Sequence, residues 1–144
     1  MRILLHDYSG HAFLVQLARQ LARDGHEVLH VHFPGFQTPK GVLARRPDDP
    51  PGFETRGLRL PGEFAKYSYL KRLGQEFAYG RLLARTIEEW KPEVVLSANS
   101  PLDPQHLAWI LENLAEGHVV NRIQVPQEDV LPAKQSLDRM LAVV

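Results

Sequence analysis

Apolar positions along the chain alternate between two spacings. Ile3 to Leu5 is a short apolar run that ends in polar residues and Gly10. Phe13, Leu14, Leu17, Ala18 and Leu21 then recur at the spacing of one helical face, with Ser9 as the expected N-cap and Gly25 as the stop. A strand, a tight turn and a helix in that order predict the first unit of a parallel α/β sheet. Residues 27–33 predict a second strand, with Leu29, Val31 and Phe33 on one side and Val28, His30 and His32 on the other. Residues 53–60 predict a short third strand, weakened by Gly57. Residues 69–90 carry Leu70, Leu73, Phe77, Leu83, Ala84 and Ile87 at helical spacing and stop before Pro92. Gly74 and Gly80 inside that helix suggest close packing or a bend.

Residues 92–97 hold an unbroken apolar run, the mark of a central strand covered on both faces. After a loop, Asp103 and Pro104 open a helix with Leu107, Ile110, Leu111 and Leu114 on one face, closed by Gly117. Residues 118–125 alternate as an edge strand does, and a last helix from about Asp129 would bury Ala133, Leu137, Met140 and Leu141. Five strands alternating with helices predict an α/β, Rossmann-like, doubly wound parallel sheet, a single three-layer domain over residues 1–144. Right-handed crossovers favour the strand order 3-2-1-4-5. The switch point then falls between the first and fourth strands, setting residues 6–11 beside residues 97–103.

Composition narrows the classes. With 17 basic and 17 acidic residues, nothing global recommends nucleic acid or an anionic polymer as partner. Zero cysteines exclude disulfides, thiolate-ligated clusters and a cysteine nucleophile. No apolar core of a signal peptide opens the chain and no run is long enough to span a bilayer, so the expected location is the cytoplasm. The long stretch 34–51, with five prolines and two glycines, is unusual for a compact domain. It is expected to cover the switch-point crevice as a mobile lid.

The candidate chemistry gathers at that crevice. Ser9, Gly10 and His11 would offer backbone N–H groups at a helix N-terminus, suited to an anion or a sugar hydroxyl. The alternative, that Gly10 only makes the turn and Ser9 only caps, stays open. Asn99, Ser100 and Asp103 would form the opposite wall, with an amide, a hydroxyl and an acid. A nicotinamide dinucleotide site is disfavoured, because the glycine fingerprint is reduced to Gly10 and Phe33 stands where a ribose-binding acid belongs. No phosphate-binding P-loop or serine-hydrolase elbow occurs. His6, His11, His30 and His32 invite a metal reading, but no third ligand stands at a telling spacing, and no metal is expected. Asp7 lacks the acid cluster of a phosphoryl-accepting domain. Lys66, Lys71 and Arg72 flank Tyr67 and Tyr69, which suits either an anionic substrate or a solvated helix start.

Five stretches carry a resemblance: HDYSGH at 6–11, FQTPKG at 36–41, RPDDPPGF at 46–53, FAKY at 64–67 and SANSPLD at 97–103. Over about residues 1–105 the chain resembles the N-terminal, acceptor-side half of family-4 glycosyltransferases of the GT-B fold, which build polysaccharide and lipid-linked sugars. That resemblance implies a transferase domain for a sugar acceptor or nucleotide sugar, with Ser9, Gly10, His11, Asn99 and Ser100 bordering the cleft. It names no catalytic residue and implies no resident cofactor. The donor-binding domain is absent, so activity would need a second GT-B domain. The closing helix-strand-helix, about 106–144, departs from that pattern. LAEGHVVNRIQV at 114–125 and LPAKQSLDRML at 131–141 are similar to the C-terminal end of quinolinate synthase. That enzyme uses a cysteine-bound iron–sulfur cluster, for which this chain has no cysteine. A composite chain joined near residues 103–108 would account for both resemblances, and an inert or designed scaffold without ligand is the alternative function.

Overall fold

A computed structural model describes residues 1–36, 39–62, 65, 67–98 and, for the backbone alone, 119–122. Its elements in chain order are β1 (Arg2–Asp7), α1 (Ala12–Arg23), β2 (Glu27–His32), β3 (Phe53–Gly57), α2 (Tyr69–Trp90), β4 (Val94–Ala98) and β5 (Val119–Arg122). The strands form one sheet in the order β3-β2-β1-β4-β5. Every pairing is parallel: Leu5 faces His30 on one side and Leu96 on the other, and Val28 faces Phe53. Four strands, β3 to β4 across the sheet, carry described side chains. Short β5 is laddered to β4 at the margin, with Val94 opposite Val119. The α/β, Rossmann-like class and the order expected from the sequence are therefore observed. The helices expected after Asp103 and Asp129 lie outside the described residues.

Alternation along the strands splits the interior into two layers. Ile3, Leu5, Val28, Phe53, Val94 and Leu96 point at α1, meeting Leu14, Val15, Leu17, Ala18 and Leu21. Leu4, Tyr8, Leu29, Val31, Phe33 and Val95 point the other way, meeting Tyr79 and Leu83 of α2. Burying a leucine in either layer is worth about 2 kcal/mol by its removal from water. All five residues of β4 are buried, as its unbroken apolar run requires of a strand with neighbours on both sides.

Four local expectations need correction. The N-cap of α1 is His11, not Ser9, for a reason given below. The third strand stops at Gly57 rather than reaching residue 60, because Pro34 crosses there: a Cβ on Gly57 would stand 2.6 Å from the Pro34 Cγ. Gly74 faces open space, so close packing does not explain it. Finally, the described part of the 34–51 stretch is strapped down rather than loose. The Arg19 guanidinium, rooted in α1, donates to the Val42 and Ala44 carbonyls and holds Asp49 at 2.6 Å. Gly41 packs so closely on Ala12 that a Cβ there would come within 2.5 Å of its Cα.

Candidate functional site

At the carboxyl end of β1 the chain turns sharply into α1, and Asp7 organises the turn. Its carboxylate accepts N–H bonds from Ser9 at 3.2 Å and from His11 at 2.5 Å, while its own carbonyl takes the Gly10 N–H at 3.2 Å. Gly10 adopts φ +73, a conformation that costs any residue with a Cβ about 1–2 kcal/mol. The strap lies directly above. Gly41 donates to the Gly10 carbonyl at 3.2 Å, and a Cβ on Gly10 would meet the Leu43 Cδ1 at 3.1 Å. Lys40 extends its ammonium to the Ser9 and Phe33 carbonyls. Burial lowers the Lys40 pKa, and the Asp7 charge opposes that shift.

The geometry bears on Ser9, Gly10 and His11 together. The structure brings the three into one turn, as topology requires. The Ser9 and His11 N–H groups are already taken by the Asp7 carboxylate and the Gly10 N–H by the Asp7 carbonyl, so the turn is served from within the chain. This is also why Ser9 is not the cap. Asn99, Ser100 and Asp103, the opposite wall expected from the sequence, lie outside the described residues.

A second polar group fills the space between β1, β4 and α2. His6 is fully buried, and its ring is held at both ends: Nδ1 stands 2.9 Å from the Ser97 hydroxyl and Nε2 stands 3.0 Å from the Tyr79 hydroxyl. Both hydroxyls can donate or accept, so either imidazole tautomer is satisfied. Tyr79 is buried and its phenol pKa is pushed well up by desolvation, so the hydroxyl stays protonated. Tyr8 packs edge-on against Tyr79 at 4.9 Å and tilts against Phe33 and Phe36. Its hydroxyl is buried without a hydrogen-bond partner among the described residues, and burial, then the Glu76 charge, raise its pKa. Glu76 in turn holds Arg72 at 2.6 Å. This cluster was only half visible in sequence. The switch point between β1 and β4 set residues 6–11 beside residues 97–103, but Tyr79 is no part of the apolar pattern read along 69–90.

His30 and His32 lie on the α1 side and stack with ring centroids 5.6 Å apart. His30 Nδ1 is 3.5 Å from the Thr55 hydroxyl, while His30 Nε2 and His32 Nδ1 are buried with no partner among the described residues. Desolvation, helped by the His32 and Arg19 charges, lowers the His30 pKa to about 3. Desolvation and Lys40 lower that of His32 to about 4. Both rings are neutral at physiological pH. No group of three or more potential metal ligands occurs among the described residues, and no described helix is long and apolar enough to cross a membrane.

Comparison with known proteins redirects the functional reading. The chain is similar to quinolinate synthases, at 38% identity over 82 residues for that of Geobacillus thermodenitrificans and 40% over 79 for that of Streptomyces coelicolor. These matches cover 49% of this chain in both cases, and 22% and 20% of the relatives, so the chain spans about a fifth of their length. The quinolinate synthase of Acidobacterium capsulatum is 57% identical over 42 residues, 29% of this chain and 11% of the relative. The similarity expected of the tail is thus supported. No family model matches the chain. The glycosyltransferase expectation is corrected here, with its sugar acceptor, nucleotide sugar and role in polysaccharide synthesis: the matching relatives are named quinolinate synthase. Short loop motifs around a Rossmann-like turn report the fold's geometry and do not fix the substrate. The inert-scaffold alternative gains no support from these relatives either.

Proposed function

We propose that this chain serves quinolinate formation as one α/β module of a larger catalyst. The observation that carries the reading is the 57% identity over 42 residues to a quinolinate synthase. The iron–sulfur cluster implied by that resemblance does not fit this chain's own donors. The sequence has no cysteine, and the described residues present no cluster of histidines and acids to replace thiolates. Sulfur ligands would therefore come from outside these 144 residues, and no reaction step is assigned to the cluster here.

The test is complementation in a bacterium lacking quinolinate synthase and deprived of pyridine precursors. The chain is expressed alone, and also beside a quinolinate synthase truncated by the segment that the chain matches. Growth and measured quinolinate are expected from the pair and not from the chain alone. Synthesis by the chain alone would overturn the modular reading. Failure of the pair, with both proteins soluble and present, would overturn the link to quinolinate.

A further inference from the structure

The first two-thirds of α2 present a face that neither sheet layer uses. Tyr67, just before the helix, is 94% exposed, and Leu70, Leu73 and Phe77 are 79%, 40% and 48% exposed. Leu70, Leu73 and Phe77 are spaced three and four residues apart and so share one stripe of the helix. Lys71, Arg81 and Arg85 are exposed on the neighbouring stripe, and none is in an ion pair among the described residues. Between Tyr69 and Arg85 the sole acid is Glu76, which is turned inward and held by Arg72. Arg81 lies over the Phe77 ring, its guanidinium carbon 4.5 Å from the centroid. The chain's zero net charge therefore conceals a local basic and apolar surface. It lies at the carboxyl end of the sheet, since Tyr79 on the same helix reaches His6 at the end of β1.

We propose that this face of α2 docks on an anionic lipid surface. Apolar and aromatic side chains beside a row of cations are the composition of a helix that lies in the bilayer interface, with lysine and arginine reaching back to the headgroups. A second copy of the chain is a poor occupant, because a two-fold contact through this face would set Lys71, Arg81 and Arg85 against themselves. The inference does not depend on the quinolinate reading.

The full chain is sedimented with phosphatidylcholine vesicles containing about a third phosphatidylglycerol, and with phosphatidylcholine alone. Binding is expected to the anionic vesicles, weakening with added salt, and little to the neutral ones. Arg81→Ala should weaken it about fivefold and Leu70→Glu by at least about tenfold, with the unfolding temperature of Leu70→Glu unchanged. No binding to anionic vesicles, or binding indifferent to both substitutions, overturns the proposal. A fall in unfolding temperature for Leu70→Glu also overturns it, by showing that the chain itself covers the face. Lys71→Ala with Arg85→Ala, at exposed polar positions, tests the charge independently of packing.

Discussion

On the α1 side of the sheet the layer is mostly aliphatic, with Leu14, Val15, Leu17, Ala18 and Leu21 meeting Ile3, Leu5, Val28 and Phe53, and a strap is pinned over its edge by Arg19. On the α2 side it is aromatic and polar, built on Tyr8, Phe33 and Tyr79 around His6 and Ser97. The histidines show what separates the two. His6, on the α2 side, has a hydroxyl at each ring nitrogen, whereas His30 and His32, on the α1 side, each keep a buried nitrogen without a partner among the described residues. A buried polar group with partners rigidifies its surroundings, while one without makes stability depend on conditions. The α1 side should therefore be the half that breaks, by mutation and by acid, and the α2 side the half that tolerates change.

The largest effect should come from Arg19. Its guanidinium joins α1 to Asp49 and to two strap carbonyls, and both side chains of the ion pair are almost wholly buried. Arg19→Ala leaves the Asp49 carboxylate uncompensated and should lower the unfolding free energy by about 3–5 kcal/mol in urea melts. A loss under about 1 kcal/mol would mean that the strap is not part of the cooperative fold.

Acid should act next. Folding lowers the pKa of His30 to about 3 and of His32 to about 4, so near pH 5 the unfolded chain binds protons that the folded one refuses. The stability these rings carry is whole above about pH 6.5 and is lost as pH falls toward those values, at up to about 1.4 kcal/mol per pH unit for each ring. His30→Phe should flatten the fall between pH 6.5 and 5 by about half. An unchanged slope would assign the acid sensitivity to other groups.

Gly10→Val is expected to lose about 2 kcal/mol, from the positive φ and from the contact with Leu43. The more instructive measurement is backbone hydrogen exchange. Protection should fall at Gly41, whose N–H is held by the Gly10 carbonyl, and should persist in α2.

Much of the fold was legible because periodicity reports the elements, although Leu70, Leu73 and Phe77 of the pattern read along 69–90 are exposed rather than buried. The residues 69–90 read from spacing are the observed α2, and the apolar run before Ser97 is the buried central strand β4. What escaped depends on side chains reaching across sequence. Asp7 displaced Ser9 as partner of the helix N-terminus through bonds two and four residues away, which no capping pattern anticipates. The strap read as a lid because its anchor, Arg19, is a charged residue turned inward from α1 toward Asp49, thirty residues on. At the site, the topological switch point set residues 6–11 beside residues 97–103. Tyr79 was hidden because it stands outside the apolar pattern that Leu70, Leu73, Phe77 and Leu83 pick out, and its burial shows only once α2 is packed on the sheet.

The smallest effect should come from Tyr79→Phe, and it discriminates most sharply between the two sides. The ring stays, so packing against Tyr8 and Phe33 is preserved and only the hydroxyl 3.0 Å from His6 Nε2 is lost. His6 then resembles His30, a buried imidazole with one nitrogen short of a partner. The expected cost is about 1 kcal/mol, the lower end for an unsatisfied buried group, because Ser97 still holds the other nitrogen. Nitrogen-15 spectra should show His6 settling into the tautomer whose N–H serves Ser97, while the His30 and His32 signals stay in place. If they move as well, or if the cost approaches that of Arg19→Ala, the two layers are one coupled network and the division drawn between them fails.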